Sequence, residues 1–156
     1  MKKIVLSTLV ILGIVLLTGC GKVDFSKTSR IVCTKTESNA SENTTTIMTL
    51  SYDNNEKIEN FMVEESVQYN KTMSAEALQI TEKAMKLIGS IPGISFESKV
   101  GDNGLYYSFS GNIGMLKTLM KQLNKNYSED KIVGDTKQEA ILELSNDGYY
   151  CEDIKK

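Results

Sequence analysis

The chain has 156 residues, the length of one domain, and its 18 Lys and Arg against 20 Asp and Glu give a formal charge of −2. Histidine is absent, which excludes imidazole bases, His-containing triads and His-ligated metals from this chain. The mild acidity leaves no basic stripe for nucleic acid, and with Arg30 as the one arginine no Arg cluster can grip phosphate bidentately.

Lys2 and Lys3 precede an apolar run, Ile4 to Leu17, interrupted by Ser7, Thr8 and Gly13. As a helix the run spans about 21 Å at 1.5 Å per residue. The hydrocarbon core of a bilayer needs about 30 Å, so the run suits a signal-peptide core better than a permanent span. Leu17-Thr18-Gly19-Cys20 follows and resembles the bacterial lipobox. That resemblance implies a diacylglyceryl group on the Cys20 thiol and cleavage before it, with Cys20 as the mature N-terminus. The competing reading is an uncleaved anchor helix with Cys20 incidental. The expected organisation is a lipoprotein signal peptide over 1–19, a polar tether over 20–27 and a single domain over 28–156. Two or more acyl chains give stable anchoring. The expected place is the cell membrane, lipid-anchored, on the extracytoplasmic side. Loss of Lys2 and Lys3 makes the mature domain more acidic, so its own surface as a whole is not drawn to anionic lipid.

Lipidation of Cys20 leaves Cys33 and Cys151. In an oxidising compartment such a pair reads as a disulfide; the alternatives are two free thiols or thiolate metal ligands. With no His and no CxxC the pair makes a poor metal site. A bridge here would close nearly the whole domain, and the chain-entropy model assigns such a loop about 5 kcal/mol at most.

Along the mature chain, Arg30–Glu37, Thr44–Tyr52 and Lys57–Tyr69 read as three strands joined by polar turns, Ser38–Asn43 and Asp53–Glu56. Together they predict an antiparallel meander. Met48, Leu50 and Tyr52 alternate with Thr49 and Ser51, which predicts one buried face. Glu65 interrupts the Phe61, Val63, Val67, Tyr69 face and predicts a twist or a bulge there. From Met73 to Ile91 the period changes to that of a helix: Met73, Ala77, Ile80, Ala84, Leu87 and Ile88 form a stripe expected to pack on the Met48, Leu50, Tyr52 face. Thr72 or Ser74 supplies the cap, and Pro92-Gly93 ends the helix. Ile94–Val100 and Leu105–Ser110 form a hairpin around Asp102-Asn103-Gly104. A short helix follows over Ile113–Asn124, with Asn112 as cap and Ile113, Leu116, Met120 and Leu123 inward. Residues 126–134 read as loop. Asp135 and Gln138 suggest a capping box for a last helix that Gly148 stops, with Ala140, Ile141 and Leu144 inward. Tyr149-Tyr150-Cys151 is an extended tail. If that tail lies beside the first strand, the Cys33–Cys151 bridge ties the two ends of the domain together. The fold class is α+β: an antiparallel sheet, meander plus hairpin, with two or three helices packed on one face.

No constellation selects a reaction. Asp53-Asn54-Asn55-Glu56 and Asp102-Asn103-Gly104 lack the full ligand pattern of a calcium loop and read as turns. Glu64 and Glu65, adjacent in a strand, point to opposite faces and cannot share a substrate. No GxGxxG, P-loop or GxSxG pattern occurs. The doublets Tyr106-Tyr107 and Tyr149-Tyr150 put one ring on each face, as sheet packing or as an outward binding surface. The expectation is therefore a non-enzyme with no cofactor and no metal.

The Leu-Thr-Gly-Cys start, the early strands, the helix ending near Ile91-Pro92-Gly93-Ile94 and the hairpin after it resemble the YehR-like family of small bacterial lipoproteins. The resemblance implies an α+β lipid-anchored domain and carries over no catalytic residues. The expected function is a surface-displayed binding or accessory module that acts on an envelope protein by contact. The alternative is a carrier or sensor with a small ligand or peptide held between sheet and helices.

Overall fold

The computed structural model describes residues 23–90, 93–123 and 134–156. Its organising element is one six-stranded antiparallel sheet. The strands are β1 (Arg30–Ser38), β2 (Glu42–Tyr52), β3 (Ile58–Tyr69), β4 (Ser95–Gly101), β5 (Gly104–Asn112) and β6 (Tyr150–Ile154). Their order across the sheet is β4-β5-β3-β2-β1-β6. Among the described residues three helices accompany them: α1 (Ala75–Gly89), α2 (Ile113–Leu123) and α3 (Lys137–Asn146). The α+β class expected from the sequence is thus the fold, with the meander and the hairpin joined through β3 and β5.

The meander forms because its turns are built for reversal. Asn39 Oδ1 accepts the N–H groups of Ser41 and Glu42 at 2.8 and 3.1 Å, and Asp53 Oδ1 accepts those of Asn55 and Lys57, both at 2.8 Å. Such side-chain bonds replace the ladder partners that a turn removes. The predicted bulge at Glu65 is not there. Glu65 faces Thr46 and Tyr107 in regular register, and the register shift falls at Ser51/Tyr52 instead. The physical reason is that Glu65 is only partly buried and keeps hydrogen-bond partners, with Thr46 Oγ1 donating to it at 3.3 Å. An in-register carboxylate therefore costs the strand little.

One side of the sheet carries the core. Ile31 faces Leu50, and Leu50 faces Phe61. All three are buried, together with Cys33, Ile58, Ala140 and Leu144. Met48, Tyr52, Val63 and Phe109 extend this face, and Phe61 meets Phe109 edge-on at 5.8 Å. Ala140 and Leu144 show that α3 supplies the lid, packed against β1 and β6, while Ile113 and Leu116 of α2 pack against the same cluster.

The helix expected to cover this face is elsewhere. α1 packs against the edge strand β4. Its half-buried positions are Ala77, Leu78, Thr81 and Met85, whereas Ile80 and Leu87 are each 62% exposed and Ala84 is exposed too. The predicted stripe is therefore corrected by roughly one residue's rotation, about 100°. An edge strand offers one narrow row of side chains, so it fixes the rotation of the helix without burying every apolar position. The cap is Ser74, whose Oγ accepts the Ala77 N–H at 3.2 Å.

Two further details move by a residue or more. The last helix is capped by Thr136 with Glu139, a reciprocal capping box, rather than by Asp135 with Gln138. The Asp135 carboxylate pairs with Lys117 instead, and its carbonyl accepts Ile58 N–H at 3.0 Å. Ahead of β1, a 3-10 turn over Phe25–Lys27 is capped by Asp24, and Phe25 is buried. Folded structure thus reaches into the stretch expected to be tether. Asn112 caps α2 as expected, accepting Gly114 N–H at 2.8 Å. Gly148, at φ 87°, ends α3; that left-handed conformation is nearly free for glycine and costly for other residues. The loop expected over 126–134 lies outside the described residues except for Gly134, and the inward side chains of Met120 and Leu123 are likewise outside them.

Candidate functional site

Of the residues singled out from the sequence, Cys20 lies outside the described residues. Cys33 and Cys151 are joined. They sit directly opposite each other across β1 and β6, with Cα atoms 4.0 Å apart and the sulfurs bonded. The tail that follows α3 is a true strand, and the bridge fixes it at the sheet edge under α3. Cys33 is fully buried. Its place between Ile31 and the α3 lid makes it part of the core as well as half of a cross-link.

Beside the bridge lies a polar cluster that no spacing along the chain announces. Lys137, in the first turn of α3, has its side chain only 10% exposed. Its Nζ reaches Glu56 Oε1 at 2.7 Å and Asp153 Oδ2 at 3.2 Å, and stands 5.1 Å from the centre of the Tyr52 ring. The Tyr52 hydroxyl donates to Asp153 Oδ1 at 2.5 Å. Three stretches distant in sequence thereby meet: the end of β2 with its turn into β3, the start of α3, and β6. Burial opposes ionisation of Asp153, but the Tyr52 hydroxyl and the Lys137 ammonium outweigh it and hold its carboxyl below the ordinary range. Hydrogen bonds from Lys137 to Glu56 and Asp153 push the lysine above its ordinary value. Each member has a partner within the cluster, so the cluster ties these elements together.

The adjacent carboxylates divide as expected. Glu64 lies on the face away from the helices, where the Tyr106 hydroxyl donates to it at 3.1 Å. Glu65 lies on the helix side beside Thr46 and Tyr107. Both tyrosines are raised above the ordinary phenol value, by burial first and by their carboxylate neighbours second. Neither is therefore poised as a base at neutral pH. Tyr107 also stacks on Phe109, with ring centres 6.4 Å apart, while Tyr149 receives the Lys35 ammonium at 5.6 Å. Tyr150 stands 71% exposed on the other face.

The sheet surface away from the helices is open and rich in Ser and Thr. Val32, Ile47 and Met62 are half-buried there, and Thr49 and Ser51 are buried. At its β4–β5 side an open depression of about 550 Å³ is lined by Glu97, Ser98, Lys99 and Tyr106. A second, of about 400 Å³, wraps the hairpin end from Ser66–Gln68 to Gly104–Tyr106. Neither lies between the sheet and the helix lid. Among the described residues no group of three or more Cys, Asp and Glu side chains is placed to hold a metal ion. No helix among them is long and apolar enough to cross a membrane. Comparison with family models, with curated proteins and with solved structures finds no match to this chain.

Proposed function

We propose that this chain is a bacterial lipoprotein, acylated at Cys20 and cleaved before it, whose domain is held on the extracytoplasmic side of the cell membrane and works by contact with an envelope partner. The observation that carries the reading is Leu17-Thr18-Gly19-Cys20 at the end of a short apolar run led by Lys2 and Lys3. The Cys33–Cys151 bridge supports it, because stable disulfides belong to oxidising compartments outside the cytoplasm.

Contact is favoured over carriage by where the space lies. Among the described residues the helix-covered side holds the packed cluster of Ile31, Leu50, Phe61, Ala140 and Leu144, and the two depressions described are open to solvent on the hairpin side. A carrier would need an enclosed, largely apolar pocket. The Ser/Thr-rich open face, with Val32, Ile47, Met62 and Tyr106, is the contact surface.

The test is metabolic labelling with palmitate. Wild type incorporates the label, and Cys20→Ala remains unlabelled and uncleaved; an unlabelled wild type contradicts the proposal. Native mass spectrometry of the extracted protein then separates contact from carriage. The polypeptide with its acyl groups alone supports contact, and a stoichiometric small molecule contradicts it.

A further inference from the structure

We infer that the outer side of β6 is a self-association surface, on which a second copy of this chain adds its own β6 antiparallel and centred on Ile154, so that two sheets run on as one. The inference is independent of acylation at Cys20 and uses the edge of the sheet rather than its open face. The first observation is an unpaired strand edge. β6 ends the strand order and pairs with β1 alone. Cys33 and Cys151 face each other with Cα atoms 4.0 Å apart, the close spacing of a pair without mutual ladder bonds. The alternate residues Tyr150, Glu152 and Ile154 therefore turn their backbone groups toward β1. Lys156 continues that series by donating its N–H to Ser29 Oγ at 3.3 Å. The N–H and C=O groups of Cys151, Asp153 and Lys155 then point away from the sheet. Asp153 shows the consequence: its side chain is only 27% exposed, yet the residue as a whole is exposed, so its exposure lies in the backbone. Among the described residues no other backbone group bonds to these outward groups. Such an edge is a template for a further strand. The bridge to Cys33 already holds it in place, so pairing orders little that was free.

The second observation is the order of charges along that edge. Glu152-Asp153-Ile154-Lys155-Lys156 is its own complement when reversed. Paired antiparallel about Ile154, Glu152 faces Lys156 of the second copy, Asp153 faces Lys155, and Ile154 faces its equivalent. Asp153 and Lys155 are then the hydrogen-bonded pair, as their outward backbone groups require. Moving the centre by one residue sets Asp153 against Asp153 or Lys155 against Lys155, and like charges directly opposite are destabilising. Charges on an edge ordinarily keep other strands away; this order blocks both neighbouring registers and favours one. Glu152, Lys155 and Lys156 are exposed and make no ion pair among the described residues. The nearby charges do not compete. Lys137 is held between Asp153 and Glu56, and Arg30, across the ladder from Ile154, is turned onto the carbonyls of Phe25 and Thr28.

The helices leave room for the second copy. The two-fold axis of such a pair is perpendicular to the sheet, so both α3 helices lie on one face. α3 packs over β1 and β6, and its equivalent falls two strand spacings away, about 10 Å. That is the ordinary distance between packed helices. One short strand makes a small contact, so pairing depends on concentration.

The test is disulfide trapping of the full acylated chain carrying Ile154→Cys, in excess neutral detergent under mild oxidation. The two central residues face each other at about 4.5 Å between Cα atoms, within reach of a bridge. A dimer linked through position 154 is expected, located by mass spectrometry of the linked peptide. Adding Glu152→Lys, or adding Lys156→Glu, should slow trapping about tenfold, because each sets like charges opposite across the axis. Both changes in one chain, or the two single variants mixed, should restore the rate. Both residues are exposed and lie outside the Lys137 cluster. Sedimentation of the acylated chain with native Ile154 should rank the same charge variants in the same order. Equal trapping in all variants, a monomer at every concentration, or failure of the double exchange to restore pairing would overturn the inference. Capture of a different protein's strand on β6 in place of a second copy would overturn it as well.

Discussion

Asp153 is one residue through which pH acts on this fold. Its carboxyl is held below the ordinary value of 3.8 by Tyr52 and Lys137 against the cost of burial. A carboxylate with a lowered folded pKa stabilises the native state at pH above its unfolded value, and that contribution is lost as pH falls through the folded value. Wild-type stability should therefore drop below about pH 4. Asp153→Asn should be less stable at neutral pH and show a flatter acid limb. Urea midpoints measured across pH check this, and parallel profiles for the two proteins would contradict it. Lys137 works in the opposite sense. Its raised value gives a contribution fully present below 10.5 and lost as pH rises through the higher folded value. None of this was legible in the sequence, because residues 52, 56, 137 and 153 become neighbours only once β6 lies beside β1. The fate of Glu64 and Glu65 was legible, since strand alternation alone sends them to opposite faces.

At the scale of elements, strands and turns were easier to read than the facing of helices. Asp53 and Asn39 mark their turns by chemistry that is local to a few residues, and Asn112 and Gly148 mark the ends of their helices in the same way. α1 shows the contrary case. Its sequence permits two overlapping apolar stripes, one through Ile80, Ala84 and Leu87 and one through Ala77, Leu78 and Met85, and only the edge strand β4 decides between them. The lid over the core is α3, whose apolar run is shorter, because β6 and the bridge draw it onto β1. Leu50→Ala, at a fully buried site, should cost about 2–5 kcal/mol. Ile80→Ala should change stability by no more than about 0.5 kcal/mol. Denaturant unfolding of the two variants checks both. Equal losses would mean that α1 covers the core after all.

The whole molecule is a sheet closed at one edge by a covalent bond and expected at its N-terminus to carry lipid. Chain order hid one consequence. Lys27, Lys57, Lys155 and Lys156 are scattered along the sequence, and antiparallel pairing gathers them, with the acids Asp53, Glu56 and Asp153, at the end of the sheet where β1 begins. The Cys33–Cys151 pairing was legible because two thiols remain once Cys20 is assigned. Its location needed the β1–β6 register, which puts the two cysteines directly opposite. The measurement that bears most directly on the account is the intact mass of the membrane-extracted protein, alkylated under denaturing, non-reducing conditions. The expected result is a chain that begins at Cys20, carries the lipid increment and takes up no alkyl group at Cys33 or Cys151. A full-length chain without lipid, or two alkylated thiols on the mature chain, would contradict it.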